Sequence, residues 1–68
     1  MTITIQLNGE SQAVPQSCTI ADLINELSLE KERIAVEVNQ EIVPRSTFVE
    51  HQLNAEDKVE IVRAIGGG

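Results

Sequence analysis

Lys58-Val59-Glu60-Ile61-Val62 alternates polar and apolar residues, then leads through Arg63 into Ala64-Ile65-Gly66-Gly67-Gly68. The alternation is that of a strand with one buried face, with Val59 and Ile61 turned inward. The stretch after it holds three of the four glycines of the sequence. Glycine has no Cβ, so such a run is flexible and slender. At roughly 3.3 Å per extended residue, these five positions reach about 16 Å beyond the strand. A carboxylate ending the run at Gly68 is ionised at neutral pH, because an α-carboxyl titrates near pH ~3.5. Two readings stand side by side. The run is a frayed end or linker remnant, or it is an arm that presents its carboxylate to a narrow site. The rest of the chain separates them.

The sequence has 68 residues, which allow one small domain. The expected division is a folded body over residues 1–63 and a flexible glycine tail over 64–68. A chain of this size buries about 60% of its unfolded surface and leaves no room for a large substrate pocket. With 41% apolar residues a true core is expected, and it is aliphatic, since Phe48 is the sole aromatic residue. No run approaches the ~18 apolar residues of a membrane span. No basic-then-apolar leader precedes the first strand pattern, so a cytoplasmic protein without a membrane partner is expected. Cys18 is the lone cysteine, which excludes an internal disulfide. The formal charge of −6 argues against nucleic acid, whose binders cluster Lys and Arg against phosphate. A basic protein partner is compatible with it.

Outward from the last strand, Asn54 to Asp57 form a turn cluster. Ser46 to His51 suggest one helical turn, with Phe48 and Val49 or Leu53 closing the bottom of the core. Ile34, Val36 and Val38 share one side of an alternating strand. Asn39-Gln40-Glu41 turns it into a short strand, Ile42-Val43, which Pro44 ends. Upstream, Thr19 and Asp22 have the spacing of a helix cap. Ile20, Leu23, Ile24 and Leu27 then fall on one helical face. Ser28 to Arg33 contains the exit turn. The chain opens with Thr2 to Leu7, which places Ile3, Ile5 and Leu7 on one side. Asn8-Gly9 follows, a pair suited to a tight hairpin in which both residues need positive φ. The return strand, Glu10 to Val14, is polar enough for a sheet edge, and Pro15 closes it.

A hairpin followed by one helix must lay that helix across one face of the sheet. The final strand then fits in the middle, parallel to the first. The predicted fold is α+β: a ubiquitin-like β-grasp with a mixed sheet of about five strands and one main helix packed across one face. A tail leaving a central strand is firmly anchored.

Several runs resemble the ThiS family, the sulfur carriers of thiamine biosynthesis. They are Val38-Asn39-Gln40-Glu41-Ile42-Val43-Pro44-Arg45, Asp57 to Val62, and Ala64-Ile65-Gly66-Gly67-Gly68. Met1-Thr2-Ile3 with Asn8-Gly9, and Thr19 to Ile24, are similar to that family's opening and helix. One departure is Glu56-Asp57, where the family commonly has Gly-Asp. The resemblance implies that an adenylating, ThiF-like enzyme uses ATP to join the Gly68 carboxylate to AMP. A sulfur donor, a cysteine desulfurase or similar, then displaces AMP and leaves a thiocarboxylate. A ThiG-like thiazole synthase takes the sulfur. On this reading the chain is a free monomer that acts as a co-substrate, with no catalytic residues, cofactor or metal of its own. The alternatives are a molybdopterin-type sulfur carrier and a ubiquitin-like modifier joined through Gly68 to other proteins.

Gly68 is thus the expected point of modification, and Gly67, Gly66 and Ile65 the expected recognition elements of the tail. Ile65 is apolar in an exposed position, which suits an anchor at the mouth of a partner's channel. Val62 and Ala35 are placed with it as a partner patch on the open face of the sheet. Cys18 sits beside the helix start, where a reactive thiolate is favoured. The competing reading is a small buried residue. His51 has no second His or Cys with which to form a metal site. Arg45 and Arg63 either meet partner acids or cover the sheet.

Overall fold

The structure, a computed structural model, describes residues 1–63. The expectations for Ile65, Gly66, Gly67 and Gly68, and for the boundary at 64, lie outside the described residues. Strands β1 (Thr2–Leu7) and β2 (Glu10–Pro15) form a hairpin, followed by helix α1 (Ile20–Glu26). Strands β3 (Ile34–Val38) and β4 (Glu41–Val43), a 3-10 turn at Arg45–Thr47, and strand β5 (Lys58–Arg63) complete the order. The sheet runs β2-β1-β5-β3-β4. Strand β5 is parallel to β1 and antiparallel to β3, so the sheet is mixed and its last strand is central. This is the β-grasp arrangement expected from the pattern.

Alternation decides which residues enter the core. Ile5, Val36 and Val59 point from the three central strands toward the helix and are fully buried, as are Ile20 and Leu53. The helix starts where the cap residues place it. The Thr19 hydroxyl accepts from the Asp22 amide at 3.1 Å, and the Thr19 amide donates to the Asp22 carboxylate at 3.1 Å. The next amides are also satisfied, Ile20 by the His51 carbonyl and Ala21 by that of Phe48. The loop after β4 therefore supports the helix start as well as filling the core.

The helix is shorter than its apolar spacing predicts. It ends at Glu26, and Leu27, expected on the buried face, is partly exposed. The cause is Ser28, which takes the left-handed conformation with φ 59°. Its amide donates to the Asn25 carbonyl, and that of Leu29 to Ile24, the pairing that closes a helix in a Schellman motif. Three further expectations shift. Val49 is 69% exposed, leaving Phe48 and Leu53 to close the core. The helical turn begins at Arg45 rather than Ser46 and is a 3-10 turn. The turn after β3 is Asn39-Gln40 alone, at φ 52° and 72°, and Glu41 already pairs with Val38.

Glu56 also stands at positive φ, 68°. A residue with a Cβ loses roughly 1–2 kcal/mol there. Its amide donates to the Thr4 carbonyl at 2.7 Å, so the conformation is held by β1. Glycine removes the strain but adds unfolded-state freedom. Glu56→Gly should stabilise the domain by up to about 1 kcal/mol. Urea unfolding should show a higher midpoint with an unchanged slope, and a lower midpoint would contradict this origin of strain.

Candidate functional site at the root of the C-terminal segment

Residues 64–68 continue from β5, so whatever holds β5 holds the root of that segment. The parallel β1–β5 register is brief, Gln6 with Lys58 and Leu7 with Val59. The Asn8 amide donates to the Val59 carbonyl at 2.9 Å. The Asn8 side chain then takes the place of further backbone. Its Oδ1 accepts from the Ile61 amide at 2.9 Å, and its Nδ2 donates to the Ile61 carbonyl at 3.3 Å.

A second turn asparagine grips the start of β5 from the β3 side. The Asn39 amide donates to the Lys58 carbonyl at 2.8 Å, and its Oδ1 accepts from the Lys58 amide at 3.0 Å. Asn39 Nδ2 donates to Asp57 Oδ1 at 3.1 Å. Asp57 is buried, and its Oδ2 accepts from the Asn54 amide at 2.8 Å. Both hairpin tips thus use left-handed asparagines to clamp the strand. These hydrogen bonds were not legible as such, although the turn positions of Asn8 and Asn39 were.

Val62 and Ala35 are direct cross-strand partners on the face away from α1. Val62 is 55% exposed and Ala35 half-buried. Ile42 was missed as a surface residue. It pairs with Glu37, which lies two residues along from Ala35, so it shares the open face. It is 70% exposed. The signal was present in Ile42-Val43, because adjacent strand residues point to opposite faces and Val43 is the buried one. Glu37 and Glu60 stand opposite each other on the same face.

Cys18 lies inside the core, and its Sγ donates to the Thr19 carbonyl at 3.4 Å. Burial, then the carboxylates of Asp22 and Glu26, push the thiol above its usual range. The helix start therefore does not create a thiolate here, and the small buried residue is the correct reading. His51 is half-buried, and its backbone carries its structural role, accepting from Ile20 and donating to the Thr47 carbonyl. Among the described residues no group of three His, Cys, Asp or Glu side chains is gathered to hold a metal ion. No helix among them is long and apolar enough to cross a membrane.

The ThiS family model matches residues 4–68, nearly the whole chain and the glycine run with it. The chain belongs to the ThiS family. Members of the ThiS family are ubiquitin-like sulfur carriers of thiamine biosynthesis. The sulfur carrier protein ThiS of Bacillus subtilis is 37% identical over 65 residues, 94% of this chain and 98% of that protein. A thiazole synthase of Paramagnetospirillum magneticum is 44% identical over 62 residues, 91% of this chain. The chain spans 19% of that synthase's length. The crystal structure of a thiamine biosynthesis protein (ThiS) from Geobacter metallireducens superposes with a TM-score of 0.83 at 26% identity. That match covers 97% of this chain and 100% of the other.

Two outcomes follow for the ThiS scaffold. Asn8→Gly keeps the left-handed turn but loses the grip on Ile61. It should cost about 1–2 kcal/mol and speed hydrogen exchange at the Ile61 amide, and unchanged exchange would contradict the clamp. A thiol whose pKa is raised by folding contributes stability below the ordinary thiol pKa. That contribution fades as pH rises through the ordinary value toward the folded one. Alkylation of native Cys18 should be slow at neutral pH and rise only above the range at which the unfolded chain labels. Fast neutral labelling of the folded protein would contradict its burial.

Proposed function

We propose that this chain carries sulfur for thiazole formation in thiamine biosynthesis, with the Gly68 carboxylate as the point of attachment. The observation that carries the proposal is the family match, which runs through residue 68 and so includes the glycine run. A carboxylate is a poor electrophile. Its oxygen attacks the α-phosphate of ATP in the adenylating enzyme, releasing pyrophosphate and leaving an acyl-adenylate. Hydrosulfide-level sulfur from a donor attacks the acyl carbon, AMP leaves, and a thiocarboxylate remains. The nucleophilic sulfur stays tethered, which raises its concentration at the acceptor.

Each step takes place in a partner's site. A side-chain-free end at Gly66, Gly67 and Gly68 suits a narrow channel, with Ile65 as its anchor. Val62, Ala35 and Ile42 offer an apolar surface close to the strand that leads to it. The chain needs no acid or base of its own and acts in the cytoplasm as a co-substrate. Thiazole synthase is supported as acceptor by the relative that contains a similar segment within its own chain.

Intact mass after incubation with ATP, a sulfur donor and an adenylating enzyme of this pathway tests the proposal. A species heavier by the exchange of one oxygen for one sulfur is expected, and deletion of Gly68 should abolish it. An unchanged mass with every component active would overturn the proposal, and adducts on other proteins would point to a modifier.

A further inference from the structure

Most of the cations of this chain are gathered in one place, although its formal charge is −6. Lys31, Arg33, Arg45 and Arg63 are four of its five cations. The fold gathers them at the end of the sheet from which residues 64–68 continue. Arg63 ends β5 and is the cross-strand partner of Ile34, the residue next to Arg33. Glu32 lies between the two better-held arginines. Its carbonyl accepts from Arg45 Nη2 at 3.0 Å, and its carboxylate lies 3.9 Å from Arg63 Nε. Together with Glu30 and Glu32, these four residues make a cluster of net charge +2. One lysine and nine carboxylates elsewhere sum to −8.

The positive charge at this end is available. The Glu32–Arg63 pair is exposed on both sides, a geometry worth little in water. Arg45 donates to a neutral carbonyl and lies over the Phe48 ring at 5.9 Å, so it is positioned without being neutralised. Among the described residues, Lys31, Arg33 and Arg45 have no carboxylate within ion-pair distance.

We infer that this basic collar is a docking surface for an acidic protein rim around the mouth of the adenylating enzyme's channel. The inference rests on the sulfur-carrier reading. Protein carboxylates are favoured over the phosphates of the adenylate for a reason of length. Five residues span at most about 16 Å when fully extended, which sets how far from Arg63 the Gly68 carbonyl carbon can act. The collar therefore meets what surrounds the entrance, while phosphate chemistry takes place at the far end. The negative remainder of the domain would be repelled by the same rim, so cluster and remainder together orient the approach.

The test compares wild type, Arg33→Glu/Arg63→Glu and Arg33→Lys/Arg63→Lys as substrates in the charging reaction with ATP, the adenylating enzyme and a sulfur donor. Arg45 is left in place because it contacts Phe48. The Glu pair should raise the KM for the carrier about ten-fold or more at low salt, with little change in kcat. The difference should shrink at high salt, where charges are screened within a few ångströms. The Lys pair should keep the wild-type KM, and all three proteins should show similar unfolding midpoints. An equal KM for the Glu pair at low salt would overturn the inference. So would a loss confined to kcat, which would place the cations at the phosphates. Failure of wild type to charge would refute the sulfur-carrier reading itself, and the collar's role with it.

Discussion

Strand β5 depends on being held from both sides, and the rest of the molecule is arranged to do this. A parallel pairing as brief as that between β1 and β5 offers few ladder hydrogen bonds. The Asn8 amide group adds two more by acting as a piece of backbone against Ile61. On the other side Asn39 holds Lys58 and, through buried Asp57, the turn that delivers the chain to β5. Hairpin tips usually need asparagine or glycine for positive φ alone. Here the same two asparagines also clamp the strand from which residues 64–68 continue.

This arrangement separates mechanical work from chemistry. A domain this small leaves little room for an enclosed pocket, and Cys18 and Asp57 are turned inward. Cys18 is buried and kept protonated. Asp57 is fully engaged in turns. The described surface shows an apolar set at Val62, Ala35 and Ile42, carboxylates at Glu37 and Glu60, and cations around the root of the segment. On the proposed reading, such an inert body suits a carrier whose partners supply the electrophile activation and the nucleophile.

The architecture was legible because its signals are local. Alternation in Thr2–Leu7, Ile34–Val38 and Lys58–Val62, the Asn8-Gly9 pair and the Thr19/Asp22 cap each report a structure made by neighbouring residues. The central place of β5, parallel to β1, followed from topology, and Val62 and Ala35 were expected on the open face, but their direct pairing needed the structure. What escaped depends on unusual residues or distant contacts. Ser28, Gln40 and Glu56 occupy left-handed positions where glycine would have marked a turn. Leu27 was drawn onto the helix face because nothing local announces the Ser28 stop. Val49 and Leu53 could not be told apart until the loop's path was known. The gathering of four cations needed the fold, because Arg33, Arg45 and Arg63 are far apart in sequence. The chemistry assigned to the glycine run rests on its resemblance and not on its shape.

The most direct measurement is single-turnover sulfur transfer from the chain, charged with isotopically labelled sulfur at Gly68, to thiazole synthase supplied with its other substrates. The label should leave the protein and appear in the thiazole in a one-to-one ratio, returning an ordinary carboxylate at Gly68. Label that stays on the chain, or thiazole formed at the same rate from unlabelled sulfur with the chain omitted, would contradict the account.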